Sequence, residues 1–173
     1  MANEKEDAKA KRCDKLLFAL EKLQNKGIVG SFVKVYAAKS EQNVVVSIDN
    51  NGNLVLSIKR EFFESLNIPG HIMNNEEKKD LREVEKLYKS AKSFLQKMKW
   101  NYDEKSDYID MNVHSLSGTK TKKLMRSFSF DVSFGRHAGA VAFVIDDIFL
   151  KLFKLPKNYD VTPSLTIVEK PIS

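Results

Sequence analysis

Cysteine, glycine, proline and arginine are all scarce in this chain. Cys13 is the single cysteine of 173 residues, which excludes an intramolecular disulfide and any multi-cysteine zinc site. It falls at helical spacing with Leu16, Leu17 and Leu20, so a buried, unreactive thiol is expected. Seven glycines and four prolines exclude collagen-like and proline-rich classes. The longest apolar run, Ala138 to Ile145, is far short of the ~20 residues that a membrane span needs. Met1 to Leu20 mixes acids and bases without the continuous apolar stretch of a signal peptide. The expectation is a soluble, intracellular (cytoplasmic) protein with no membrane partner.

The motifs of common enzymes are missing too. There is no Gly-x-Gly-x-x-Gly run, no Walker loop and no His-Glu-x-x-His pair. His71, His114 and His137 lie far apart, and a Cys–His nucleophile would need Cys13. A two-histidine phosphodiesterase would want Ser or Thr where Leu116 and Gly139 stand. A metal nuclease would want strand-end carboxylates with a Lys two residues on; Asp103, Glu104, Asp107 and Asp110 are candidates, but none sits in that spacing on a predicted strand. Asp146 and Asp147 are adjacent, so on a helix they diverge by about 100°; the expectation for the pair is a solvated helix face. A non-enzymatic protein is therefore expected, with no catalytic residue, no cofactor and no metal.

What is present is a foldable chain. Hydrophobic residues make up 42% and charged residues 30%. At this length one domain, residues 1–173, can bury roughly two thirds of its unfolded surface. Residues 1–4 and about 169–173 are expected to be mobile. Cys13, Leu16, Leu17, Leu20 and Leu23 predict a helix from about Glu4 to Asn25, stopped by Gly27. Ile28 to Ala37 and Asn43 to Ile48 are rich in β-branched residues. The turn cluster Asp49 to Asn53 then joins Asn43–Ile48 to Leu54–Lys59 as a hairpin with one buried face.

Arg60 to Leu66 suggests a short helix. Asn74 with Glu77 forms a capping pattern, and Leu81, Val84, Tyr88, Ala91, Leu95 and Met98 then mark a long helix over Asn75 to Lys99. Its seam is expected to bury against a sheet, with Trp100 and Tyr102 capping the core. Tyr108 to His114 and Leu124 to Phe134 alternate as strands, separated by a polar loop at Ser115 to Lys122. Ala138 to Leu155 reads as a helix, and Leu165 to Val168 as a further edge strand. The fold class is α+β: one antiparallel sheet of about five strands with helices packed on one face.

The formal charge is +6 and the pI about 9.2, which favours polyanions in general rather than any one site. Only Arg12, Arg60, Arg82, Arg126 and Arg136 are arginines among 29 basic residues, so base-specific reading by bidentate Arg is disfavoured. Gly118 to His137 is the most basic stretch, with Lys120, Lys122, Lys123, Arg126 and Arg136 against Asp131 alone. Phe128, Phe130 and Phe134 are interleaved with them. As a nucleic-acid site, Lys120, Lys122, Lys123 and Arg126 would contact phosphates from a mobile loop. Arg136 and His137 would hold an anion at a helix N-terminus. The phenylalanines, however, are the strand's apolar face and belong in a core.

Two functions follow as expectations. One is a protein-interaction or assembly module docking on a protein partner, by an exposed apolar patch at Phe149 to Tyr159 or a free edge at Leu165 to Val168. The other is a small basic protein that binds single-stranded nucleic acid through its backbone.

Overall fold

Alternating burial builds the sheet. Val33, Val35 and Ala37, then Val44, Val46 and Ile48, then Leu54, Leu56 and Ile58 are all buried, while their neighbours along each strand are not. A computed structural model describes residues 2–62 and 73–169. Its elements in order are α1 (Ala2–Lys26), β1 (Phe32–Ala37), β2 (Asn43–Ile48), β3 (Leu54–Glu61), α2 (Asn75–Met98), β4 (Asp103–Ser115), β5 (Gly118–Ser133), α3 (Ala138–Asp147) and β6 (Val161–Thr166). Six strands form one antiparallel sheet in the order β4-β5-β3-β2-β1-β6, an α+β layout with one strand more than expected.

The chain divides into two compact units, Met1–Ile58 with Asp131–Ser173, and Lys59–Phe130. In the first unit, α1 packs on β1, β2, β6 and α3. Gly27 follows the last residue of α1 and its N–H makes the final helical bond, to the Leu23 carbonyl at 2.7 Å. A Cβ there would stand 2.4 Å from that carbonyl oxygen and 2.9 Å from Ile48, a clash that nothing but glycine escapes. The β2–β3 hairpin is pinned by Asp49, whose carboxylate accepts from the Asn51 and Asn53 amides at 2.9 and 2.8 Å. Gly52 takes the left-handed φ of +76° that this turn requires. β1 pairs with β2 on one side and with β6 on the other, Phe32 facing Ser47 and Thr166.

In the second unit, α2 opens with the expected capping box. Asn74 Oδ1 accepts from the Glu77 N–H, and Glu77 Oε2 accepts from the Asn74 N–H, each at 2.8 Å. Leu81, Val84, Ala91 and Leu95 are buried, as their spacing predicts. Tyr88 stacks on Phe130 with ring centres 5.4 Å apart and meets Phe128 edge-on at 5.6 Å. Tyr102 packs edge-on against Phe130.

Several expectations give way. Arg60 and Glu61 continue β3 as strand and Phe62 is buried just beyond it, not helical; residues 63–66 of the predicted short helix lie outside the described residues. The polar loop at Ser115–Lys122 is a two-residue turn, Leu116 and Ser117, and the lysines after it are strand residues. Threonine supports this strand despite its polarity, Thr121 Oγ1 bonding Asn112 Oδ1 at 3.0 Å. The final helix stops being regular at Asp147, and Ile148–Leu152 widens into a π-helical turn in which the Phe153 N–H reaches the Ile148 carbonyl at 2.9 Å. The last strand sits earlier than Leu165–Val168, because buried Val161 faces Ala37 and fixes the register.

Asp146 is not on a solvated face. It is fully buried, and its Oδ1 accepts from Arg12 Nε and Tyr159 Oη, each at 2.8 Å. Asp147 alone behaves as expected, pairing with Lys151 at 2.9 Å. Arg12, 3% exposed, also donates to the carbonyls of Lys157 and Tyr159, so at this turn of α1 the buried side chain is Arg12 rather than Cys13. Cys13 is only half-buried, and burial followed by the Asp146 charge pushes its thiol pKa up, which keeps it protonated. Phe149 and Tyr159 are buried and pack on each other, so no exposed apolar patch runs between them.

Candidate docking surface

The second unit carries the most open part of the described chain, the β4–β5 hairpin. β4 runs for thirteen residues and β5 for sixteen. From Asp103 to Tyr108 every residue is exposed, and Leu116 projects fully into solvent at the turn. β4 is an end strand of the sheet, so one row of its backbone N–H and C=O groups has no strand partner among the described residues. The opposite end strand, β6, is half as long and contains Pro163, which cannot donate.

The hairpin's base is anchored by side chains from the C-terminal half of α2. Tyr88 Oη donates to Glu104 Oε1, and Lys92 Nζ lies 3.0 Å from both Tyr88 Oη and Glu104 Oε2. The Tyr88 hydroxyl, then Lys92, hold the Glu104 carboxyl below its ordinary pKa; the hydrogen bonds to Tyr88 and Glu104 raise that of Lys92. This cluster ties β4 to the helix but leaves the outer hairpin clear.

The residues singled out from the sequence are distributed as follows. Lys120, Lys122 and Lys123 are exposed strand residues of β5. Lys122 and Lys123, being consecutive, point to opposite faces. Arg126 is half-buried and already engaged. Between Met125 and Phe128 the in–out alternation slips, both being buried three residues apart. Phe128, Phe130 and Val132 are core residues, and Phe134 is half-buried beyond the strand's end. Arg136 and His137 lie in the first unit. The Arg136 side chain reaches the Asn51 carbonyl at 3.4 Å, its own carbonyl accepts from Gln24 at 2.9 Å, and His137 is the N-cap of α3 without a side-chain capping bond.

Lys122 does gather with other cations, but these are on α2 and are not Lys120, Lys123 or Arg126. Lys78, Arg82 and Lys122 line a shallow groove of about 100 Å³ together with Leu81, Glu85, Met111, Leu124 and Met125. Lys78 and Arg82 stand four apart on α2, flanking buried Leu81. That spacing was visible in the sequence, but the acids Glu76, Glu77, Asp80 and Glu83 around it disguise a local cationic strip. Glu85 is drawn to Lys89 at 2.9 Å. No side-chain hydrogen bond or ion pair with a described residue engages Lys78, Arg82 or Lys122. Among the described residues, no three His, Cys, Asp or Glu side chains gather as metal ligands, and no helix is long and apolar enough to cross a membrane. Comparison with family models, curated proteins and solved structures finds no match to the chain.

Proposed function

We propose that the protein is a non-enzymatic interaction module that docks on a protein partner through the outer part of its second unit. One observation carries this reading: β4 is a long, exposed end strand whose backbone edge is free among the described residues. Such an edge offers main-chain hydrogen bonds in a row, which an extended polypeptide can match and a nucleic acid cannot. The acids Asp103, Glu104, Asp107 and Asp110 make the edge selective. A second copy pairing β4 against β4 would bring these carboxylates together, so the favoured partner is a different chain.

The test is a photo-crosslinking residue at Tyr108, compared with one at Lys39 in the first unit, followed by reconstitution with the purified crosslinked protein. The expected result is a protein adduct from position 108 alone, and slowed amide hydrogen exchange over Asp103–Ser115 in the reconstituted complex. Binding that leaves β4 exchange unchanged would overturn the reading.

The second reading is a backbone-reading, single-stranded nucleic-acid binder, favoured by the exposure of Lys120, Lys122 and Lys123 along β5. It assigns Lys120, Lys122, Lys123 and Arg126 to phosphates, with Arg136 and His137 as a further anion contact. Fluorescence anisotropy with labelled DNA and RNA at two salt concentrations decides it. A logarithmic salt slope of roughly one per phosphate neutralised, lost in Lys122→Glu/Lys123→Glu, would establish nucleic-acid binding in place of protein docking.

A further inference from the structure

From the groove between α2 and the hairpin we infer that the partner's docking segment carries an aspartate or glutamate beside a large apolar residue. Lys78, Arg82 and Lys122 receive the carboxylate, and Met111, Leu124 and Met125 receive the apolar side chain. The inference rests on the reading that this unit docks a polypeptide, and it names the chemistry of what is docked.

Charge and shape both enter. Three cations line one opening, unpaired among the described residues, and Glu85 is turned toward Lys89. Three cations against the one carboxylate of Glu85 leave an excess of positive charge at the groove, and an anion between the cations relieves their repulsion. The floor is apolar, and two of its residues are methionines, whose flexible thioethers fit varied apolar side chains. Small-molecule sites span roughly 300–1,000 Å³. At about 100 Å³ this groove admits one or two side chains rather than a whole metabolite.

A carboxylate suits it better than a phosphate. Glu85 lines the same groove and penalises a second negative charge, and Arg82 is its one bidentate donor. A nucleic-acid strand suits it least. No aromatic ring lines the groove for a base to stack on. A run of phosphates along the hairpin would also meet Asp107 and Asp110 on β4.

The experiment is a selection of random heptapeptides on the whole protein, with each enriched peptide measured on three variants: Arg82→Gln, Lys122→Gln and Met111→Ser. Arg82 and Lys122 are exposed, so their variants retain the fold, and Met111 is only half-buried, so Met111→Ser strips apolar surface from the groove without emptying a fully buried core position. Enriched peptides should pair Asp or Glu with Leu, Ile, Phe or Met. Affinity should fall about tenfold or more in each charge variant and also fall in Met111→Ser. Enriched peptides without acidic residues overturn the inference, and if they still slow exchange along β4 the docking reading survives it. A preference for the phosphoserine form of an enriched peptide overturns the carboxylate assignment. Absence of any enriched peptide overturns the inference while the crosslinking from Tyr108 judges the docking reading separately. Oligonucleotide binding lost in Arg82→Gln and Lys122→Gln assigns the groove to phosphate and overturns both.

Discussion

Arg12 and Asp146 are separated by 134 positions in the chain and meet in the core of the first unit. Arg12 is 3% and Asp146 0% exposed, and Asp146 Oδ2 has no hydrogen-bond partner. A buried ion pair is costly to assemble, since desolvation offsets much of its attraction, but costlier to break, since one charge is then left alone. The guanidinium gains further hold from the Lys157 and Tyr159 carbonyls, and it lies 4.2 Å from the centre of the Tyr159 ring. Arg12→Met should therefore destabilise the protein by about 3–5 kcal/mol, whereas Arg12→Met/Asp146→Leu should recover most of that loss. Urea denaturation of the two variants beside the parent measures it; equal losses would mean that packing rather than charge holds the site. None of this was legible in the sequence. Arg12 reads there as one more cation in a charged helix and Asp146 as half of an acidic pair. Only the tertiary fold brings the far end of the chain over α1.

At the scale of elements, legibility follows the strength of the hydrophobic period. β2, β3, α1 and α2 bury one residue in two or in three to four, and their expected and observed ranges differ little. The start of β4, Asp103–Asp107, and the start of β5, Gly118–Lys123, carry almost no apolar side chains, so alternation is silent there and the tight turn between the strands resembles a longer polar loop. The groove residues Lys78 and Arg82 escaped notice for a related reason: a cationic strip shows only once the strand opposite it is placed. The Asp49 turn is the opposite case, legible from its residue types alone. The Asn53 backbone N–H, with the Asn53 side chain and the Asn51 N–H, holds the Asp49 carboxyl below its ordinary pKa against the opposing effect of desolvation. A depressed carboxyl contributes stability in full above its unfolded value of about 4 and loses it as the pH falls through the lower folded value. Protection of the Asn53 amide from hydrogen exchange should accordingly drop as the pH is taken below ~4. In Asp49→Asn, which keeps an acceptor oxygen but cannot titrate, that drop should disappear. A pH-independent Asn53 amide in the parent would show that the carboxylate charge contributes nothing to the turn.

For the whole molecule, the consequential fact is that the first unit is assembled from both halves of the chain. Met1–Ile58 and Asp131–Ser173 build it jointly, and the intervening Lys59–Phe130 forms the other unit. The two halves meet through the β1–β6 ladder along all of Phe32–Ala37 and through α1 packed on α3. They meet again at Arg12–Asp146, at Ser57 Oγ with Asp131 Oδ1 at 2.6 Å, and at the Val168 N–H on Ser31 Oγ at 2.9 Å. Buried apolar area is the dominant favourable contribution to such an assembly, and Leu16, Leu20, Leu23, Ile145, Ile148 and Phe149 are all fully buried here. The chain is thus held closed by its first unit, and the β4–β5 turn at Leu116 and Ser117 is a connection that the unit does not depend on. Cutting the chain there, at a protease site inserted between Leu116 and Ser117, should leave two fragments that co-elute as one species at neutral pH and separate only in denaturant. The cut protein should also keep the Arg12→Met penalty, because both partners of that pair remain in place, one on each fragment. Fragments that part under native conditions would mean that closure of the hairpin, rather than the core shared by the two chain ends, holds the molecule together.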